Sequence, residues 1–258
     1  MKRSVLLVLM ALALFTSCES VAERHTGSSP VSHEQWDALL KKHVNADGYV
    51  NYRSFLKDST KLNEYLSVLS KNYPDSNKWS ENEQLAYWIN AYNAYTVQIV
   101  LRHYPLESIK DIGSKIAIPF VNSVWDIKFI EIEGEALDLN NIEHGILRKH
   151  FSEPRIHFAI NCASESCPKL RNEAFVAEKL EQQLTEQTVG FINDPSKNQL
   201  AENEVKLSKI FSWFGGDFKK ESSLVEFLNK YSKVQISEGA DVSYLDYDWR
   251  LNESKKMD

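Results

Sequence analysis

Apolar residues recur at helical spacing through the first half of the chain. Between residues 62 and 69 they lie three or four positions apart, which predicts an amphipathic helix. A longer pattern begins at Ser80, which forms a capping box with Glu83, and continues to about His103. Apolar residues lie nearly all round this second helix, as is typical of a helix buried at the centre of a domain. The N-terminal part is therefore predicted to be mainly helical.

The hydrophobic period changes in the second half of the chain. Residues 129–137 predict a hairpin, and residues 155–161 alternate between apolar and polar positions as a half-buried strand does. Helical patterns return at 142–150 and along 176–191, and a strand is predicted at 205–210. This order of elements predicts an α+β domain in which the central helix packs on a mainly antiparallel sheet.

Composition narrows the class of protein. The 258 residues are 43% hydrophobic and 26% charged, with only 9 Gly and 7 Pro, which excludes collagen-like and disordered chains. Lysine and arginine are scattered along a chain of net charge -6. This argues against nucleic acid as a partner, because binding it requires a clustered basic surface. No linker or internal repeat interrupts residues 32–252, so a single globular domain is predicted there.

The first 17 residues predict a signal peptide. Lys2 and Arg3 give it a positive start, and residues 4–16 form an apolar run. The run is too short to span the roughly 30 Å hydrocarbon core of a bilayer as a helix. The protein is therefore predicted to be exported to the periplasmic side of a bacterial membrane, and no later stretch predicts a second membrane segment.

Cys18 predicts a lipid anchor directly after this signal peptide. Small residues precede it as in a bacterial lipobox, in which the cysteine thiol takes a diacylglyceryl group before cleavage. At about 0.8 kcal/mol for each buried CH₂, two or more acyl chains would hold the protein at a membrane of the cell envelope, either inner or outer. The polar residues 18–31 predict a flexible tether. The alternative is an ordinary signal peptide followed by a coincidental cysteine.

Four blocks of sequence resemble a known family. They are residues 82–94 (NEQLAYWINAYNA), 138–148, 154–168 with its run NCASESCP, and 247–249 (YDW). In these blocks the chain resembles the domain of unknown function 547, over about residues 35–252. The resemblance implies an uncharacterised exported or lipid-anchored protein. Because that family is named for its lack of an assigned activity, function has to be inferred from the residues.

Cys162 and Cys167 are the candidate reactive residues of the globular part. In an oxidising compartment they either close a small disulfide that fixes a loop or stay as buried thiols. Alternatively, one of them is a catalytic nucleophile, because they lie between His157 and a helix predicted to start near Asn172, and a histidine or a helix N-terminus favours a thiolate. Metal binding is the least favoured alternative, since no Cys and His spacing typical of zinc occurs; no metal or other cofactor is expected.

Two histidines are candidates for the base that would activate such a thiol. His157 lies on the polar side of the predicted strand 155–161, and His144 lies beside Glu143 on a predicted helix. Glu143 or Asp248 would orient the imidazole and fix its tautomer. Taken singly, each histidine is better explained by a structural hydrogen bond. Together with the cysteines, they define a candidate site.

Polar residues near the cysteines and in the central helix are candidates for ligand binding. Arg148, Arg155 and Asn161 are expected to face the same pocket as the cysteines. Asn90 and Asn93 lie three residues apart in the helix that begins after Ser80. Their amides either form a hydrogen-bond network that holds loops onto this helix, which is the favoured interpretation, or donate to a substrate carbonyl.

Two functions follow from these candidates. The first is thiol-dependent acyl transfer or hydrolysis on a peptide-like or small acyl substrate, in a fold similar to cysteine peptidases or transglutaminases. The second is a non-enzymatic binding module of the cell envelope, in which Arg148 and Arg155 hold an anionic ligand and a Cys162–Cys167 disulfide is structural.

Overall fold

The computed structural model of the protein describes residues 27–113 and 123–254. The predicted signal peptide and Cys18 lie outside the described residues. The α-helices are α1 (Glu34–His43), α2 (Tyr52–Lys57), α3 (Ser59–Ser70), α4 (Glu81–His103), α5 (Arg148–His150), α6 (Leu180–Ile192), α7 (Lys209–Trp213), α8 (Gly215–Phe218) and α9 (Leu224–Asn229). The strands are β1 (Ile130–Ile132), β2 (Glu135–Leu137), β3 (Gln199–Leu200), β4 (Glu204–Leu207) and β5 (Asp241–Tyr244).

Helix α4 is the centre of the fold. The predicted capping box is present, because the Ser80 side chain accepts from the Glu83 backbone while the Glu83 carboxylate accepts from the Ser80 backbone. Every residue of α4 from Leu85 to Leu101 is buried. The helix packs on α2, α3 and a π-helical turn at Asn141–Leu147, so its main neighbours are other helices. The prediction of a central buried helix is confirmed.

The sheets of the described residues are small. Strands β1 and β2 form the predicted antiparallel hairpin, in which Ile130 pairs with Leu137. Its two turn residues, Glu133 and Gly134, both have positive φ, as a tight two-residue hairpin turn requires. Strand β4 pairs antiparallel with β3 and parallel with β5. The molecule is a single α+β domain, as predicted, and one of its two sheets is mixed.

Two hydrophobic clusters form the interior. The larger one surrounds α4 and includes the hairpin and Ile156. The smaller one is rich in phenylalanine and contains Phe158, together with residues of α7, α8 and α9 and of strand β4. The clusters meet at a short 3₁₀ helix, Pro154–Phe158, which contributes Ile156 to one of them and Phe158 to the other. His157 lies between these two residues, and so at the junction of the clusters.

The prediction of a strand at residues 155–161 is wrong. Pro154 begins the 3₁₀ helix Pro154–Phe158, and the Glu153 side chain accepts the backbone N–H of Arg155 as an N-cap. Residues 156–161 are all buried, so the apparent alternation of this segment reflects burial on several sides and not one face of a sheet. Arg155, His157 and Asn161 therefore do not share a strand face.

The helix expected near Asn172 begins later. A 3₁₀ turn covers Ala177–Lys179, and α6 starts at Leu180. No helix N-terminus directly follows the cysteine loop within the described chain, so the thiols receive no helix dipole from this element.

The described part of the predicted tether contacts the domain. The Gly27 N–H donates to the Asp75 carboxylate at 3.1 Å, and Trp79 Nε1 donates to the Ser28 carbonyl at 3.2 Å. None of the helices within residues 27–113 and 123–254 combines the length and the apolar character needed to cross a bilayer.

Candidate active site

A cavity of about 180 Å³ opens where the two hydrophobic clusters meet. Its walls are mainly aromatic and apolar, and they bring together five of the residues proposed from the sequence. Those five are Glu143, His144, His157, Cys162 and Cys167. The aromatic lining consists of Tyr92, Trp125, Trp213, Phe214, Tyr247 and Trp249.

The Cys162 sulfur is held by hydroxyl groups in the cavity wall. It lies 3.2 Å from Ser164 Oγ and 3.2 Å from the Tyr247 hydroxyl. Ala163 has a φ of 57°, a left-handed conformation that is uncommon for a residue with a side chain, and this turn directs the Ser164 backbone N–H back to the sulfur. Burial opposes ionisation, but hydrogen bonds from Cys167, Ser164 and Tyr247 outweigh it and hold the pKa of Cys162 below its usual range. These hydrogen bonds therefore favour the thiolate form of Cys162 over the thiol.

Cys167 also lines the cavity and is 5% exposed. The backbone N–H of Cys162 donates to the Cys167 sulfur over 2.9 Å. Burial and the neighbouring Cys162 sulfur raise the pKa of Cys167 well above its usual range. Both cysteines are free thiols, so the disulfide expected under the second interpretation is not formed in this structure.

Glu143 is a buried carboxyl group on the π-helical turn Asn141–Leu147. Such turns widen a helix locally and often occur at functional sites. The Tyr92 hydroxyl donates to Glu143 Oε2 over 3.3 Å. Burial, together with the charge of a Cys162 thiolate, raises the pKa of Glu143 to about 7. Glu143 can therefore gain or lose a proton near neutral pH, as a general acid or base must.

His157 is oriented by an aspartate that the sequence interpretation missed. Its Nε2 lies 2.7 Å from Asp217 Oδ2, and its ring stacks on Phe214 with centroids 3.9 Å apart. Because an ionised carboxylate only accepts, Nε2 is the protonated nitrogen and Nδ1 carries a lone pair. Nδ1 is buried without a hydrogen-bond partner in the described structure and lies 3.9 Å from Glu143 Oε1. His157 thus faces Glu143 on one side and Asp217 on the other.

Neither histidine contacts a cysteine sulfur by a hydrogen bond among the residues described. His144 lines the cavity, but its Nδ1 lies 3.0 Å from Arg148 Nη1. Burial lowers the pKa of both His144 and His157. The predicted direct Cys–His pair is therefore absent from this geometry, and Glu143, which lines the cavity with both cysteines and lies 3.9 Å from His157 Nδ1, is the candidate base that shares their cavity.

The arginines proposed as ligand-binding residues are already ion-paired. Arg148 makes a two-point contact with Asp217, at 2.6 Å through Nε and 3.0 Å through Nη2. Arg155 pairs with Glu153 at 2.6 Å and Glu181 at 2.7 Å. Neither guanidinium lines the cavity. Each arginine thus stabilises its own surroundings, and Arg148 holds Asp217 against His157.

Three asparagines hold backbone segments on and after the cysteine loop instead of lining the cavity. Asn93 donates from Nδ2 to the Ala159 carbonyl at 2.9 Å, and its Oδ1 accepts the Asn161 N–H at 2.8 Å. Asn90 pairs in the same two-point way with the backbone of Phe175. Asn161 donates to the Pro168 carbonyl at 2.7 Å, across the loop that carries both cysteines. The hydrogen-bond network interpretation of Asn90 and Asn93 is confirmed.

Sequence reasoning missed the groups that come from the C-terminal third. Tyr247 contacts Cys162, Trp213 lines the cavity, and Asp217 orients His157. Tyr247 could have been found from the sequence, because it belongs to the YDW block at 247–249 that resembles the family. Asp248, proposed as the orienting carboxylate, pairs with Arg250. No group of three His, Cys, Asp or Glu residues suited to a metal ion occurs within the described ranges.

Most of the cavity residues that carry this chemistry lie within one segment that matches a protein family. Residues 76–192 match the family described as "Protein of unknown function, DUF547". The match supports the resemblance drawn from the sequence blocks, and the DUF547 segment contains α4, Glu143, His157 and the cysteine loop. Asp217 and Tyr247 lie beyond it. No curated protein and no solved structure matches the chain.

Proposed function

We propose that the cavity is the active site of a thiol-dependent acyl transferase or hydrolase, with Cys162 as nucleophile and Glu143 as general acid and base. The observation that carries the proposal is the position of the Cys162 sulfur. It reaches the cavity, is hydrogen-bonded to Ser164 and Tyr247, and shares the cavity wall with the buried carboxyl of Glu143. Nucleophile, proton carrier and enclosed apolar space therefore occur together.

The reaction proceeds in two halves. The Glu143 carboxylate takes the thiol proton, and the Cys162 sulfur attacks the substrate carbonyl carbon to form a C–S bond. When the tetrahedral intermediate collapses, its C–N or C–O bond breaks and the leaving group takes the proton from Glu143. Water or an acceptor amine then attacks the thioester, Glu143 takes its proton, and the thiolate leaves.

The groups behind the cavity support this role for Glu143. The buried His157 presents the lone pair of Nδ1 toward Glu143 Oε1 at 3.9 Å, while Asp217 and Arg148 fix the ring from the other side. A neutral imidazole in this orientation favours the protonated carboxyl over the carboxylate. The proton that Glu143 receives from the thiol is thereby stabilised until the leaving group takes it.

The aromatic walls favour an acyl group with an apolar or planar part. The ring of Tyr247, whose hydroxyl contacts the sulfur, packs in tilted contacts against Trp213 and Trp249, with centroid distances of 4.7 Å and 4.5 Å. Such surfaces bind apolar groups and peptide planes. The alternative of an anion-binding module receives less support, because the guanidinium groups of Arg148 and Arg155 are both occupied by carboxylates.

We also propose that the domain acts at the surface of a bacterial membrane, anchored through Cys18 on the periplasmic side. The support is the apolar run at residues 4–16 and the small residues that precede Cys18. The intact mass of the protein extracted from membranes tests this. A chain that begins at Cys18 and carries a diacylglyceryl group is expected, and a mature chain that begins elsewhere or lacks lipid contradicts the anchor.

Acylation of the reduced full chain by p-nitrophenyl acetate tests the proposed activity. A burst of nitrophenolate is expected, with one acetyl group located on Cys162 by peptide mapping. At about pH 7 the second-order rate should exceed that of free cysteine by about tenfold, because a larger fraction of Cys162 is thiolate. An acetyl group on Cys167 alone, or labelling of Cys162 no faster than free cysteine, contradicts the proposal.

A further inference from the structure

We propose that Cys162 and Cys167 form a two-cysteine redox pair, in which a hydroperoxide oxidises Cys162 and Cys167 converts the product to a disulfide. Cys162 is thereby a modification site as well as a nucleophile. The inference rests on the same reactive sulfur as the proposed function, but it assigns Cys167 a chemical role of its own.

The order of the two cysteines follows from their exposure. Both cysteines line the cavity, but Cys162 is the more accessible residue, since it is partly exposed whereas Cys167 is only 5% exposed. An oxidant that enters through the cavity therefore meets Cys162 first. A reactive outer thiol with a protected inner thiol is the arrangement that two-step thiol oxidation requires.

The loop holds the two sulfurs within bonding reach. The Cys167 sulfur already lies 2.9 Å from the backbone nitrogen of Cys162, which is separated from its own sulfur by only three bonds. The Cys167 N–H donates to the Ser164 carbonyl at 3.1 Å, and Asn161 closes the loop through Pro168. A side-chain rotation of Cys162 is enough to bring the sulfurs together without moving the loop ends.

The first step forms an S–O bond. The Cys162 thiolate attacks the terminal oxygen of the hydroperoxide, the O–O bond breaks, and the leaving alkoxide or hydroxide takes a proton from solvent water. The Tyr247 hydroxyl, which lies 3.2 Å from the sulfur and accepts from Ser164 Oγ at 3.1 Å, is placed to donate to that oxygen as negative charge develops on it. Cys162 becomes a sulfenic acid, oxidised by two electrons, and the hydroperoxide is reduced to an alcohol or water.

The second step forms the disulfide. The Cys167 thiol loses its proton as its sulfur attacks the Cys162 sulfur, the S–O bond breaks, and water leaves. Glu143, which lines the same cavity as both cysteines, is the group that can accept this proton and pass it to the hydroxide leaving the Cys162 sulfur, which departs as water. The disulfide removes the nucleophile of the proposed acyl transfer, and a small dithiol restores it by exchange.

Titration of the reduced full chain with hydrogen peroxide tests the redox pair. The wild type is expected to lose two hydrogen masses, with a Cys162–Cys167 bond located by peptide mapping, and dithiothreitol should reverse the change. The Cys167→Ser variant should instead accumulate a sulfenic acid on Cys162 that dimedone traps. The Cys162→Ser variant should resist oxidation at Cys167 under the same conditions, because the remaining thiol is buried.

Three results would overturn the inference. They are faster oxidation at Cys167 than at Cys162, oxidation of wild-type Cys162 to sulfinic acid without a disulfide, and a bond that dithiothreitol does not reduce. The p-nitrophenyl acetate assay on the same reduced sample separates the two proposals. Acetylation without disulfide formation rejects the redox pair alone, and disulfide formation without acetylation rejects acyl transfer alone.

Discussion

Replacing Cys162 with alanine is expected to lower the rate of p-nitrophenyl acetate hydrolysis by about a thousandfold or more. The substitution removes the atom that forms the thioester, so both the nitrophenolate burst and the steady-state rate should disappear. Removing a nucleophile leaves only the rate supplied by binding and polarisation in the cavity. Stopped-flow absorbance measures the burst, and intact mass checks that no acyl-enzyme forms.

The Cys167→Ala variant provides the matched comparison. It also removes a buried thiol from the same loop, but Cys167 does not bond to the substrate in the proposed reaction. The variant should retain a burst, at a rate reduced by less than about tenfold, because it loses one hydrogen bond that stabilises the Cys162 thiolate. Equal loss of the burst in both variants would show that the loop, and not the Cys162 sulfur, is what the reaction needs.

The second large effect is expected from Glu143→Gln. Turnover of p-nitrophenyl acetate should fall by about 10²–10⁴-fold, since glutamine cannot carry the proton between thiol, leaving group and water. Alkylation of Cys162 by iodoacetamide at about pH 7 should not slow. The substitution removes a negative charge that disfavours the thiolate, so this reaction tests the thiol without the acid–base step. Glu131→Gln, on the exposed side of β1, is the control.

Glu143→Gln should also change how the free energy of unfolding depends on pH. In the folded protein the pKa of Glu143 is raised to about 7, above that of the unfolded chain. Between these values the folded state binds more protons, so the stability that Glu143 contributes is fully present below about pH 4.5 and is lost as the pH rises through 7. Between about pH 5 and pH 8, urea unfolding should show that the wild type loses about 2–3 kcal/mol more stability than Glu143→Gln. If Glu143→Gln slowed turnover and alkylation to the same extent and showed no such difference in stability, the role of Glu143 would be contradicted.

Local sequence signals predicted the elements whose conformation is decided within a few residues. The capping box of Ser80 and Glu83 and the buried pattern after it gave α4 almost to the residue. The hairpin was predictable because alternation on both sides of Glu133 and Gly134 leaves one possible turn. Neither element depends on distant parts of the chain for its type.

Tertiary packing determined the conformation of residues 155–161, which the sequence pattern wrongly predicted to be a strand. Ile156, Phe158 and Ile160 alternate with other residues as in a strand, yet the two hydrophobic clusters enclose the segment from several directions. A short helical turn after Pro154 satisfies its backbone without a neighbouring strand. The spacing of apolar residues alone does not distinguish a strand from a short helical turn in this segment.

The candidate site was predictable only where its residues are close in the chain. Glu143, His144, His157 and the cysteines fall within 25 positions, and the fold keeps them together around one cavity. Asp217 lies 60 residues from His157 in sequence. Nothing local distinguishes it from other surface aspartates, so its role appears only when α8 packs against the 3₁₀ helix.

The positions of the tryptophans make intrinsic fluorescence a probe of the cavity. Three of its six indoles, Trp125, Trp213 and Trp249, line the cavity. The others, Trp36, Trp79 and Trp88, are buried away from this cavity and contribute a constant background. Fluorescence emission should therefore change when the cavity fills, so that unmodified protein can be screened against compound libraries without any attached dye.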